Sequence, residues 1–367
     1  MNALVQIPSY QLSPLATATH RLYQAFVGVR QAQPNLGLKG WSQLLSSSEG
    51  ELQASRLGHE EVRPLTDLFS LLYQLAGLGE VEIRSFNRSG WASYKGHFAP
   101  PDLCLDCPGY LGLEFRSGSL RLQMNMESWY WGCAVTDYPE GKETQKSLQF
   151  FDQAGERFLK LQATSETSAV GWSRLLQRFA PTPIASKPLF DVTQSSCDLT
   201  CPKDMTSFTQ EWRLMASPNQ VHRLLKRHQA SYLGSLQRLD KKFAREVSLD
   251  ALEQLLKQVQ ALPSAPNKPC LEMRFFASGC LQEVVGELQA PRLHLKQMCL
   301  AYAEGCMHLD PQCLEEAWVV RKPQGEGWVT SLEIFDDQGE LIVQLQEHKL
   351  TQLPENLLIR QIFATLA

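Results

Sequence analysis

The sequence contains no long uninterrupted hydrophobic run. Its densest apolar stretch, around Leu68 to Leu78, is broken by Ser70, Tyr73 and Gln74. No segment therefore reads as a membrane span, which needs about 20 largely apolar residues. Nor is there an excess of one charge: 35 Lys and Arg stand against 39 Asp and Glu, a formal net charge of −4. That balance excludes a generally basic surface for nucleic acid or anionic lipid, so any basic site must be local. The opening residues, MNALVQIPSYQLSPLATATH, have neither a basic start nor an apolar run. A secretory leader is not expected, and the ten cysteines are expected to be reduced thiols in a cytoplasmic protein. A Walker loop, a dinucleotide fingerprint, a nucleophile elbow and a His-Glu-x-x-His motif are all missing. Their absence withdraws support from the common nucleotide-dependent and hydrolytic enzymes.

What is present is a globular composition, 43% hydrophobic and 20% charged, in 367 residues. At roughly 150 residues per domain this suggests two domains. An internal repeat gives the number a meaning. Ser147 to Gln162 reads SLQFFDQAGERFLKLQ and Ser331 to Gln346 reads SLEIFDDQGELIVQLQ, with eight positions matching without a gap. Each segment has the pattern of a strand, a turn carried by Asp and Gly, and a returning strand. A weaker match lies upstream, where Val81-Glu-Ile-Arg-Ser-Phe86 faces Leu271-Glu-Met-Arg-Phe-Phe276. The offset is 184 residues in the hairpin and 190 upstream, so the order of elements is kept while loop lengths differ.

Amphipathic helices are expected over Thr66–Leu78 and Leu249–Leu262, each preceding an upstream strand, and over Glu166–Phe179. Ala180 to Gln210 has the Pro-, Ser- and Thr-rich composition of a linker. The expected fold is α+β: a tandem duplication, each half a large antiparallel sheet flanked by helices, with a cleft between halves. The expected boundaries are 1–185 for the first repeat, 186–210 for the linker, and 211–367 for an inter-domain helix and the second repeat. That helix should start at Ser217 and Pro218, a cap followed by a first-turn proline.

Three constellations carry candidate chemistry. Cys104-Leu-Asp-Cys107, with Cys197 and Cys201 further on, has metal-ligand spacing, but no second close pair or His pair joins it. His222-Arg-Leu-Leu-Lys-Arg-His228 concentrates two imidazoles and three cations. It reads either as a solvated basic helix or as the wall of a site for an anionic, metal-containing ligand. Arg121, in the alternating strand Ser119-Leu-Arg-Leu-Gln123, either faces solvent or faces a pocket, and Trp129, Tyr130 and Trp131 follow it.

Trp318-Val-Val-Arg-Lys-Pro323 followed by Gly327-Trp-Val-Thr-Ser-Leu-Glu-Ile-Phe-Asp336 closely resembles the second repeat of the bacterial cytoplasmic hemin-degrading, or hemin transport, proteins. Ser147-Leu-Gln-Phe-Phe-Asp152 resembles their first-repeat signature. Ser55-Arg56 with His59, Gly79-Glu80-Val81, and Trp212 with Met215 ahead of Leu224-Leu-Lys-Arg227 fall in the family's order. The resemblance spans roughly residues 40 to 350.

What it implies is a cytoplasmic protein that binds heme between its halves, either degrading imported heme to release iron or delivering it to a separate oxygenase as a non-catalytic chaperone or store. A third possibility is a divergent fold that has lost heme binding and serves another small ligand or a protein partner. The implied partners are heme, an inner-membrane heme transporter, and a heme oxygenase or reductase, with no nucleic acid and no membrane insertion. In the family a histidine on the inter-domain helix ligates iron, a first-repeat strand arginine lies opposite, and basic residues hold the propionates. Arg121 stands where that arginine is expected, as a catalytic and heme-binding candidate. The ligand histidine falls on Asn219, and His222, one helical turn later, is the candidate metal ligand. Lys226, Arg227, Lys322, His348 and Lys349 are the remaining heme-binding candidates. The family's Gly-Asn-Arg-Gly-Cys stretch is Phe276-Ala-Ser-Gly-Cys280 here, and its tyrosine and arginine after the last hairpin strand align with Gln346 and Lys349.

Overall fold

The computed structural model describes residues 14–104, 112–138, 143–180, 188–191, 199–263, 269–289, 292–294, 297–348 and 353–367. The first half runs α1 (Pro14–Ala32), α2 (Gly37–Leu44), α3 (Glu49–Ser55), β1 (Val62–Pro64), α4 (Leu68–Gln74), β2 (Gly79–Asn87), β3 (Gly90–His97), β4 (Asp102–Cys104), β5 (Gly112–Ser117), β6 (Leu120–Asn125), β7 (Trp131–Asp137), β8 (Gln145–Phe151), β9 (Arg157–Thr167) and α5 (Ala169–Phe179). The second runs α6 (Met205–Arg213), α7 (Val221–His228), α8 (Tyr232–Leu236), β10 (Ala244–Val247), α9 (Ala251–Gln260), β11 (Leu271–Ala277), β12 (Cys280–Gly286), β13 (Arg292–His294), β14 (Gln297–Tyr302), β15 (Gly305–Leu309), β16 (Leu314–Gln324), β17 (Gly327–Asp336), β18 (Leu341–Glu347) and α10 (Leu357–Thr365).

Both expected hairpins are present, as β8–β9 and β17–β18. Their turns are alike for a local reason. The Asp152 carboxylate accepts the Glu156 amide, and the Asp336 carboxylate accepts those of Gln338 and Glu340. Gly155 and Gly339 supply φ of +80° and +77°, a left-handed backbone that favours glycine.

The strands form two large antiparallel sheets, and each sheet borrows from the other half. The first has the order β1-β7-β8-β9-β2-β3-β15-β14-β13, and the second β10-β16-β17-β18-β11-β12-β6-β5-β4. Three consecutive strands of each repeat thus complete the sheet of its sister. The sheets pack face to face over one continuous core that includes Ile83, Tyr94 and Leu161 from the first and Leu122, Phe275 and Ile334 from the second. Burying side chains of this size contributes about 1.5–3 kcal/mol each. A buried hydrogen bond from the Ser85 hydroxyl to Gln282, 2.8 Å, joins the two sheets through that core.

The alternation that points Ile334 inward points Glu333 and Phe335 to the outer face. There α6, α7 and α8 lie over β16 and β17, with Phe208, Trp212, Leu224 and Leu233 packed on Trp318, Val320 and Phe335. In the first half α3 covers the corresponding face, with Ala54 packed near Val62, Cys133 and Phe151. Helix α4 is shorter than the expected Thr66–Leu78: it is capped by the Asp67 carboxylate and continues through Leu75–Gly77 as a 3₁₀ turn. Glu166 and Thr167, expected in the next helix, end β9 instead, because the Thr167 hydroxyl is held by the Glu80 carbonyl at 2.5 Å. Helix α6 begins at Met205, within the segment read as a linker. Among the described residues no helix is long and apolar enough to cross a membrane.

Candidate functional site

Helix α7 is positioned by its own sequence. Ser217 accepts a hydrogen bond from the Asn219 amide and Pro218 opens a 3₁₀ turn, Pro218–Gln220, that runs into the helix. Gln229, in left-handed conformation at φ +49°, ends it. Val221 and Leu224 are buried beneath. Asn219 and His222 lie one turn apart and line a cavity of about 350 Å³ between this helix and the outer face of the second sheet. The volume is within the range of small-molecule sites.

The sheet wall combines both halves. Arg121 comes from borrowed β6, Arg274 and Phe276 from β11, Leu281 and Glu283 from β12, Lys322 from β16, and Leu341 and Gln344 from β18. Register sets the polar part of this wall, since Glu333, Gln344, Arg274, Glu283 and Arg121 are successive cross-strand partners. An ion-pair chain crosses the sheet alongside. Arg121 donates to Glu114 at 2.6 Å and lies 3.4 Å from Glu283, which lies 3.5 Å from Arg274. Arg274 donates to Glu272 at 2.6 Å, and Glu272 pairs with His348 at 3.2 Å.

These contacts divide the electrostatics. Burial pushes the Glu283 carboxyl up despite its two guanidinium neighbours. Burial also acts to raise Glu272, but the hydrogen bond from His348 and the charge of Arg274 hold it below its ordinary value. Lys322 is buried and donates to Glu333 at 2.6 Å, and burial holds its ammonium below the usual lysine range. Glu333 also accepts from the Tyr232 hydroxyl at 2.6 Å, from Ser331 and from Gln344.

The fold therefore brings Arg121, Asn219, His222 and Lys322 to one cavity. Among the described residues, it does not bring the other candidates there. Lys226 is exposed outside the cavity lining, and Arg227 pairs with Glu211 on the far side of α7. His228 packs edge-on against Phe208 and contacts Glu211 at 3.0 Å. His348 is engaged by Glu272 away from the cavity lining, and Lys349 lies outside the described residues. Cys107 and Cys197 also lie outside them, as does the side chain of Cys104; Cys201 is a free, exposed thiol. The Trp129 indole donates to the Gly279 carbonyl and packs on Phe150 and Phe158, Trp131 packs on Phe151, and neither reaches the cavity. Arg274 and Glu283 were not foreseen as site residues, although Arg274 stands in the upstream repeat Leu271-Glu-Met-Arg-Phe-Phe276, where its pairing with Arg84 was the available signal.

The haemin-degrading HemS.ChuX domain model matches residues 47–179 and again residues 229–356. The chain belongs to this family. The two matches coincide with the two halves that exchange strands. Hemin transport protein HmuS of Yersinia pestis is 27% identical over 340 residues, covering 91% of this chain and 94% of the relative. Hemin transport protein HemS of Yersinia enterocolitica is likewise 27% identical over 337 residues, with the same coverage. Among solved structures, the heme degrading enzyme ChuS of Escherichia coli O157:H7 superposes with a TM-score of 0.83 at 25% identity, covering 95% of this chain and 99% of that one. The heme-binding protein PhuS of Pseudomonas aeruginosa, in its holo form, shares the fold with a TM-score of 0.81 at 24% identity, covering 95% and 99%.

Proposed function

We propose that this chain is a cytoplasmic heme-binding protein of iron acquisition that degrades imported heme and releases its iron. The observation that carries the reading is the meeting of His222 and Arg121, about a hundred residues apart in sequence, on the helix wall and the sheet wall of one cavity. The donor set suits the ligand: an imidazole for iron, apolar Leu225, Phe276 and Leu281 for the macrocycle, and cations for its carboxylates. Membership of the haemin-degrading family and likeness to ChuS and PhuS support the same ligand.

Heme, as substrate, brings its own oxidation chemistry. The chain's part is to bind and orient it. His222 would hold the metal from the helix side. Arg121, fixed by Glu114 and Glu283, would present a donor from the sheet side, and Lys322, at the cavity floor, would add positive charge toward a propionate while remaining paired with Glu333. Lys226 and Arg227 are placed to meet carboxylates only where these extend past α7. His348 stands further along the same ion-pair chain, with Lys349 next to it in sequence. An inner-membrane transporter would supply the ligand, and an external reductase the electrons.

Hemin titration followed by absorbance tests this. His222→Ala is expected to change the ferric Soret spectrum, whereas His228→Ala leaves it nearly unaltered, and Asn219→His is expected to tighten binding. Loaded protein given reductant and then air should lose its Soret band. A second reading, a chaperone that hands heme to a separate oxygenase, is favoured by Asn219 at the position where the family resemblance expects the ligand histidine. It predicts transfer to a heme oxygenase faster than simple dissociation, with a Soret band that survives reductant and air.

A further inference from the structure

The duplication allows each outer-face residue of one sheet to be compared with its counterpart in the other, and in one row the charges do not match. In the second sheet the row reads Glu333, Gln344, Arg274, Glu283. In the first it reads Gln149, Lys160, Arg84, Ser93. Two carboxylates have become neutral residues and one neutral residue has become a lysine. In the second-sheet row two carboxylates flank Arg274, and Arg121 opposite Glu283 completes the balance; the first-sheet row has two cations, Lys160 and Arg84, and no carboxylate.

The neighbours of Lys160 do not restore the balance. Glu82 is taken by Arg84 at 2.8 Å, Asp137 by Arg56 at 2.5 Å, and Glu49 by Arg157 at 2.9 Å. No hydrogen bond or ion pair joins the Lys160 amine to any described residue, though the side chain is only partly exposed. Arg157, whose guanidinium lies 4.0 Å over the Phe86 ring, keeps its Nε buried and without a partner among the described residues. Burial, with Arg157 and Arg84 close by, pushes the Lys160 amine down to about 8. With Arg84 and Arg157 each met by one carboxylate, Lys160 is the cation left over, and an ammonium held in this part-buried position is costly unless a counter-charge of its own meets it. Guanidinium forks and an ammonium together are the donor set that proteins direct at carboxylate and phosphate oxygens.

We propose that Lys160, Arg157 and Arg84 form a binding site for an oxyanion, a carboxylate or phosphate group, on the outer face of the first sheet, separate from the cavity beneath α7. This site does not depend on heme, so its test uses the full chain without hemin. Isothermal titration at low ionic strength with inorganic phosphate, and separately with citrate, is expected to show saturable binding of at least one. Binding of phosphate alone identifies a phosphoryl ligand, binding of citrate alone a carboxylate. Lys160→Gln, which installs the residue type found at 344, should weaken binding at least tenfold. Ser93→Glu should do the same by supplying an internal counter-charge, as Glu283 does beside Arg274. The saturating anion should also protect Lys160, relative to exposed Lys241, from acetic anhydride, read by peptide mass spectrometry. No binding of either anion, undiminished binding in both folded variants, or unchanged acetylation of Lys160 at saturation would overturn the proposal.

Discussion

Arg121, on a strand of the first half, lies directly opposite Glu283, on a strand of the second, with 3.4 Å between guanidinium and carboxylate. Its shorter contact, 2.6 Å, is to Glu114 on neighbouring β5, which travels with it into the borrowed part of the sheet. Strand exchange thus delivers Arg121 already fixed by a carboxylate of its own half, and places it against one from the other. The cavity wall and the junction of the two repeats are the same structure.

Removing Arg121 should therefore affect more than a ligand. Arg121→Ala leaves the nearly buried Glu114 without this partner. Glu114 keeps Arg116 at 2.7 Å, so the expected cost is about 1 kcal/mol, that of one lost hydrogen bond and not of an unsatisfied group. Urea denaturation would measure it.

Lys322 and Glu333 form a deeper pair, with Glu333 fully buried. Lys322→Met is expected to destabilise the chain by about 3–5 kcal/mol, because a buried carboxylate is left without its cation. Glu333 keeps the Tyr232, Ser331 and Gln344 donors. Chemical denaturation of parent and variant side by side at neutral pH should show that deficit, and no deficit would mean that the pair adds nothing to stability.

The His348–Glu272 pair should confer a pH dependence. The Glu272 hydrogen bond raises the His348 imidazole above its ordinary value of about 6.5. A histidine whose folded-state value is raised adds stability that is complete below its unfolded value and is lost as pH rises through the folded one. Glu272, held low, adds stability present above its unfolded value near 4.5 and lost as pH falls through its depressed folded one. The melting temperatures of parent and His348→Gln should differ most between about pH 5 and 6.5 and converge at higher pH. A constant difference from pH 5 to 9 would show that the imidazole charge is not involved.

The two hairpin glycines should differ in their tolerance of a side chain. Both have positive φ, which costs a non-glycine residue about 1–2 kcal/mol. At Gly155 a Cβ would also stand 2.3 Å from the Ser48 hydroxyl, which caps α3, whereas at Gly339 it would meet only the movable end of Leu199, at 2.8 Å, and Leu233. Gly155→Ala should lower the melting temperature more than Gly339→Ala.

The sequence by itself determined what depends on near neighbours. An Asp carboxylate accepting amides four residues on, with a glycine in left-handed conformation, makes the same turn wherever it recurs, so the duplicated hairpins were legible. Ser217 and Pro218 likewise announced the turn that leads into α7, and helical spacing placed Asn219 and His222 on one wall. Only the tertiary structure decided which of the basic candidates belong together. Arg227 is adjacent to the site in sequence but is turned to Glu211 on α6, and Lys226, four residues after His222 and on its face, lies one helical turn beyond the cavity lining. Arg121 reaches the cavity because β4–β6 pair with β12 of the other half, as β13–β15 pair with β3. Edge pairing is made of backbone hydrogen bonds that any alternating strand can offer, so nothing in residues 102–125 names the partner. The choice comes from the whole molecule, where two sheets share one core and the row from Glu333 to Arg121 must be in register before its charges can meet.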